Sequence, residues 1–154
     1  MDFFEKGYYM LADNLKVLLA SSHSLYLKAA NFHWNVEGPS FPQYHEFFGK
    51  FYNDIYETQD TIAEYIRALD VYAPGSLASF MELTMIEDVV GQLSSKEQFT
   101  MLLADSTKLL DYLIATFNMA TAEDQQGIAN FIAERVDAMQ KHNWMTRSLL
   151  KTTK

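Results

Sequence analysis

Two long stretches of this chain keep an apolar period near 3.6, and only Gly38-Pro39 interrupts them. In the first, Leu11, Leu15, Leu18, Leu25, Ala29 and Phe32 fall on one face, which predicts a helix over roughly 4–36. In the second, Phe48, Phe51, Ile55, Ile62, Ile66 and Leu69 do the same, which predicts a helix over roughly 41–69. Helices of about 30 residues run about 45 Å and cannot bury such a stripe alone. The Gly-Pro link is too tight for anything but a chain reversal, so the two form an antiparallel hairpin.

From Asp70 to Ser94 the period breaks at Ala73-Pro74-Gly75, and only Leu77 to Leu83 can hold a short amphipathic segment. A third helix then carries Phe99, Leu102, Leu103, Leu110, Leu113, Ile114 and Phe117. A tight link at Met119 to Ala122 leads to a fourth with Ile128, Phe131, Ile132, Val136 and Met139. Helix-start signatures stand at Asp2 with Glu5, Ser40 with Gln43, Ser94 with Glu97, and Thr121 with Asp124. The last helix closes with Lys141, Arg147, Lys151 and Lys154 and has no acid after Asp137, which suits the negative end of its dipole. Two antiparallel hairpins joined by one long crossover make an all-α four-helix bundle of the ferritin-like plan, with a short helix in the crossover.

The chain has 154 residues and nearly half are apolar, enough for one domain spanning 1–154. It has no cysteine, which excludes disulfides and thiolate metal sites and fits a cytoplasmic protein. Its opening residues, MDFFEKGYYM, lack the basic segment and apolar run of a signal peptide, and no apolar stretch reaches the length of a membrane span. Twenty acids against twelve Lys plus Arg give a net charge of −8, which disfavours phosphate backbones and attracts cations.

Imidazoles and carboxylates are the first-row metal ligands left to a chain without cysteine. The residues three positions before the four histidines are Ala20, Ala30, Pro42 and Met139, so the E-x-x-H pair of an intrabundle di-iron site is absent. The remaining donors are His33 near the end of the first helix, His45 near the start of the second, and Asp60 and Glu64 one turn apart near its far end. Fifteen residues of helix separate His45 from Asp60, about 22 Å, so they cannot bind one metal within one chain. His45, Gly49, Tyr56, Asp60 and Glu64 nevertheless share one face of the second helix. Two such helices packed antiparallel across a two-fold axis would bring the histidines of one chain to the carboxylates of the other, twice per dimer.

The runs NFHWNVEGPSF, YHEFF and DTIAEYIRAL, with the closing RVDAMQKHNWMTRSLL, resemble the Dps family of miniferritins, and the resemblance covers essentially the whole chain. It implies a hollow dodecamer of two-fold dimers that oxidises Fe(II), preferably with hydrogen peroxide, and stores ferric mineral. It also implies a di-iron site between subunits, with His33 and His45 from one chain, Asp60 and Glu64 from the other, and Glu64 bridging two irons. Trp34 matches a family tryptophan near the site, placed to give an electron or intercept radicals.

The sequence departs from the pattern at Gly49, where the family usually has an aspartate, and a mid-helix glycine costs about 1 kcal/mol relative to alanine. Glu46 and Asn53 are the nearest substitutes, and altered occupancy, with zinc as an alternative metal, is expected. The rival expectation is a non-catalytic cage whose site Gly49 has degraded, and a Gly49→Asp exchange is expected to separate the two.

Each of these residues also has an ordinary reading. His33 and His45 alone suit structural roles, Asp60 and Glu64 a solvated acid pair, and Trp34 and Trp144 packing. His23 and His142 have no acid at metal spacing and read as structural or surface residues. Glu134 and Asp137, with Asn130 a turn earlier, suit either a solvated face or the acidic pores of the family. DNA binding is expected to be weak or absent, since Met1 to Phe4 and the end LLKTTK offer few cations.

Overall fold

The computed structural model of the chain describes residues 3–151, with side chains from residue 9 onward. Five helices and no strand occur among the described residues: α1 (Phe3–Asn35), α2 (Phe41–Ala68), α3 (Leu77–Leu83), α4 (Ser95–Ala122) and α5 (Gln126–Leu150). The fold is an all-α four-helix bundle with one extra short helix. α1 packs along α2, α4 packs along α5, α1 also meets α4, and α3 rests on α1. None of the described helices is long and apolar enough to cross a membrane.

The stripes predicted for α1 and α2 are the core: Leu11, Leu15, Leu18, Leu25, Ala29 and Phe32 face Phe48, Phe51, Ile55, Ile62 and Ile66, all buried. On α4 the buried line runs through Phe99, Leu102, Ser106, Leu109, Leu113 and Thr116. Leu109 takes the place expected of Leu110, and Ile114 is exposed. Two polar residues, Ser106 and Thr116, occupy core positions there and find hydrogen-bond partners in the interior. The Thr116 hydroxyl donates to the Tyr112 carbonyl, and that of Ser106 donates to Asn143 Oδ1 on α5 at 2.5 Å.

The helix starts divide by chemistry. Ser94 and Glu97 form the reciprocal box, with Glu97 N–H donating to Ser94 Oγ at 3.2 Å and Ser94 N–H donating to Glu97 Oε2 at 2.8 Å. Ser40 caps α2 without a side-chain hydrogen bond, so the pairing expected with Gln43 does not form, and Pro42 in the first turn has no N–H to satisfy. Asp2, the start of the first signature, lies outside the described residues. The start expected at Thr121 is a correction: α4 continues through Ala122, the Thr121 hydroxyl donates to the Phe117 carbonyl within it, and the chain reverses at 123–125 rather than at 119–122.

α2 and α4 end in the same way. Val71 N–H reaches the Ile66 carbonyl and Asp70 N–H that of Arg67; Gln125 N–H reaches Ala120 and Asp124 N–H reaches Thr121. The pivot in each motif is an aspartate in the left-handed region, Asp70 at φ 59° and Asp124 at φ 55°, where glycine is the usual choice.

α2 and α5 are joined mainly by long side chains. Asp54 of α2 accepts from both guanidinium nitrogens of Arg135 on α5, at 3.1 and 2.5 Å, and lies 2.8 Å from His142 Nε2. Further along, the Tyr65 hydroxyl donates to the Gly127 carbonyl at 3.2 Å. A groove of about 380 Å³ opens on this seam, lined by Glu46, Phe47, Lys50, Trp144 and Met145 among others.

Candidate metal half-sites on α1 and α2

The Gly38-Pro39 reversal brings the end of α1 against the start of α2, and there His33 and His45 meet. Their rings stack at 3.6 Å between centroids and 17° between planes. His33 Nδ1 lies 2.6 Å from the His45 carbonyl, and His45 Nδ1 lies 2.6 Å from the His33 carbonyl. A carbonyl only accepts, so each Nδ1 carries the hydrogen and donates it. In the neutral ring the lone pair is then on Nε2, which has no hydrogen-bond partner among the described residues. This is how histidine ligands are held, with one nitrogen fixed by a hydrogen bond and the other presented.

Two aromatic rings complete the seat. Tyr52 meets His33 edge-on at 5.2 Å, and Phe41 stacks on His45 at 5.0 Å. Phe41 sits four residues before His45, a helical spacing that makes it a readable partner. Tyr52 and the two carbonyls carry no such signal.

Asp60 and Glu64 lie on the continuous helix α2, both exposed, far along its axis from His45. Neither is near the histidines: among the described residues, no group of three or more His, Cys, Asp or Glu is close enough to hold a metal ion. One chain thus presents two incomplete donor sets, imidazoles at one end of α2 and carboxylates at the other.

A family model described as a ferritin-like domain matches residues 12–154. The chain is also 30% identical over 127 residues to the DNA protection during starvation protein of Brevibacillus brevis, covering 82% of this chain and 85% of that one. The chain belongs to the Dps family of ferritin-like proteins. A crystal structure of a Dps protein from Bacillus brevis matches at a TM-score of 0.92 and 28% identity, covering 98% of this chain and 100% of that one. A Vibrio cholerae Dps, described as a member of a broad superfamily of ferritin-like diiron-carboxylate proteins, matches at a TM-score of 0.91. At 22% identity, over 96% of this chain and 92% of that one, it speaks to the fold alone.

In this Dps-family chain Gly49 is buried beneath the His33 ring: a Cβ there would stand 3.0 Å from His33 Cε1 and 3.1 Å from Nδ1. A Gly49→Asp exchange therefore does not simply add a ligand, because its first carbon meets the imidazole. Both expected substitutes are tied to other groups, Glu46 through a carboxylate oxygen and Asn53 through its amide nitrogen. Glu46 pairs with Lys50 at 2.8 Å, and this bond and charge lower its pKa. The Asn53 amide donates to the Gly49 carbonyl at 2.9 Å.

Trp34, next to His33, is 63% exposed and Trp144 is 58% exposed, so neither is a packing residue within the chain. Asn130, Glu134 and Asp137 are all exposed on α5. His23 bridges helices, with Nδ1 2.9 Å from Gln59 Oε1 and its ring 4.9 Å from that of Phe80. His142, expected from sequence to be structural or at the surface with no acid at metal spacing, pairs with Asp54, which folding brings from 88 positions away. Burial pushes the Asp54 carboxyl up, but the bonds from His142 and Arg135 and the Arg135 charge outweigh it and hold the group well below the usual carboxylate range.

Proposed function

We propose that this chain binds Fe(II) between two copies of itself, oxidises it with hydrogen peroxide and stores the ferric product in a hollow homo-oligomer, a dodecamer built from two-fold dimers. The observation that carries this reading is the division of donors along α2, with two presented imidazole nitrogens at one end and two exposed carboxylates at the other. Neither set serves alone, and an antiparallel pairing of two α2 helices completes both. The Brevibacillus brevis relative, named for DNA protection during starvation, is consistent with a protective role.

Iron is the substrate, and the residues have separable tasks. His33 and His45, locked by their Nδ1–H bonds, offer Nε2 without having to be ordered first. Asp60 and Glu64 of the opposing chain neutralise the ions, with Glu64 shared between two. Two Fe(II) each give up one electron, the O–O bond of one peroxide breaks, and two protons complete two waters. Trp34, next to His33 in the chain, supplies the second electron where only one Fe(II) has reacted, reducing the hydroxyl radical left by O–O cleavage to hydroxide, and Glu134 and Asp137 on α5 draw cations to the cage.

A second reading is favoured by one observation: Gly49 contributes no donor, so the cage holds a metal such as zinc without turnover. Stopped-flow absorbance after mixing Fe(II) and peroxide separates the two. Ferric product should form faster than in the protein-free control, and equal rates would refute the enzymatic reading. DNA is not among the proposed partners, and a mobility shift that persists at physiological salt would contradict that.

A further inference from the structure

We propose that Gly49 is a positioning residue in this chain: the bare face it leaves on α2 is the seat of the His33 imidazole, and a Cβ there displaces the ring by a few tenths of an ångström from the position its hydrogen bond holds. Helix geometry does not demand a glycine at this position. Gly38 and Gly91 stand at positive φ, 122° and 95°, where other residues are strained, whereas Gly49 lies within regular α2. Space does demand it. A Cβ at Gly38, Gly75, Gly91 or Gly127 would meet nothing within 4 Å, whereas at Gly49 it would stand 3.0 Å from His33 Cε1 and 3.1 Å from Nδ1.

Nor can the ring step aside cheaply. His33 is held on three sides, by the 2.6 Å bond of Nδ1 to the His45 carbonyl, by the 3.6 Å stack on His45 and by the edge of Tyr52. A shift away from a new Cβ falls on that bond and on the two ring contacts. The backbone of α2 is thus the fourth wall of the His33 seat, and the helix propensity lost to glycine is offset by a fixed tautomer and a presented Nε2.

The seat belongs to a single chain. Its bearing on metal binding rests on the function proposed above, with Fe(II) as ligand. Unseating His33 should weaken Fe(II) binding about 10- to 100-fold, as loss of a ligand-orienting partner typically does.

A double-mutant cycle on the whole protein tests the seat. Gly49→Ala in a helix ordinarily raises the melting temperature. Here it should fail to do so in the parent and succeed in a His33→Ala background, where the ring is gone. Histidine-selective ¹⁵N labelling, at a pH above the ordinary imidazole range, gives a second readout. In Gly49→Ala the His33 Nδ1 proton should lose its protection, while that of His45, whose acceptor is the His33 backbone carbonyl and not the displaced ring, should keep it.

Additive melting shifts, or an unchanged His33 signal, would overturn the proposal. An anaerobic Fe(II) titration of the parent separates this from the larger reading. No Fe(II) uptake alongside a non-additive cycle would overturn the proposed function and support the seat, and uptake with an additive cycle would do the reverse.

Discussion

Co-expressed, a His33→Ala/His45→Ala chain and an Asp60→Asn/Glu64→Gln chain should regain Fe(II) oxidation that neither shows alone. The reason is the length of α2, a continuous helix from Phe41 to Ala68 that keeps the two donor sets apart. In a dimer of the two variants, one site combines both defects, and the other combines intact histidines with intact acids. Random pairing makes half the dimers mixed, each with one working site of two, so the peroxide-dependent rate should reach roughly one quarter of the parent's. Each variant assembled alone should fall to the protein-free background. Failure to recover in assemblies shown to contain both chains would place the chemistry elsewhere. The substitutions are at intermediate or exposed positions, so the bundle core is not disturbed.

Asp54→Asn should destabilise the protein at neutral pH by about 1–2 kcal/mol, the larger value for a broken buried pair being discounted because the carboxylate is about one-third exposed. The loss falls on the seam between α2 and α5, where Asp54 binds Arg135 at two points and His142 at a third. The pH dependence has a definite sign. Folding holds the Asp54 carboxyl well below its ordinary value of 3.8, so its contribution is fully present above 3.8 and is lost as pH falls through and below that value. The gap between parent and variant should therefore narrow as pH falls through and below 3.8. Denaturant unfolding of both proteins across that range measures it, and a gap that widens below 3.8 would contradict the assignment.

The hairpin of α1 and α2 was legible because its apolar period runs unbroken and its reversal is written in Gly38-Pro39. α4 was read with its stripe displaced, since Ser106 and Thr116 take core positions that a hydrophobic pattern assigns to neighbours. The turn into α5 comes later than the Thr121 signature predicts, because a threonine hydroxyl can satisfy a carbonyl of its own helix as readily as it can start a new one. His33, His45, Asp60 and Glu64 could be nominated from residue type and spacing, and the axial separation within a chain followed from helix rise alone. The histidine seat could not be read: it depends on two backbone carbonyls, on Tyr52 and on the missing side chain of Gly49. The Asp54 cluster was equally hidden, because its members lie 81 and 88 positions apart and no local pattern links them.

The separation of the two donor sets along α2 also governs how activity depends on amount. If a complete site exists only where two chains meet, the number of sites follows mass action. At concentrations well below the dimer dissociation constant, halving the protein leaves about one quarter of the sites. Rate per chain would then rise with protein concentration and level off once pairing is complete. A cell raising expression from a low level would gain oxidising capacity faster than it gains protein.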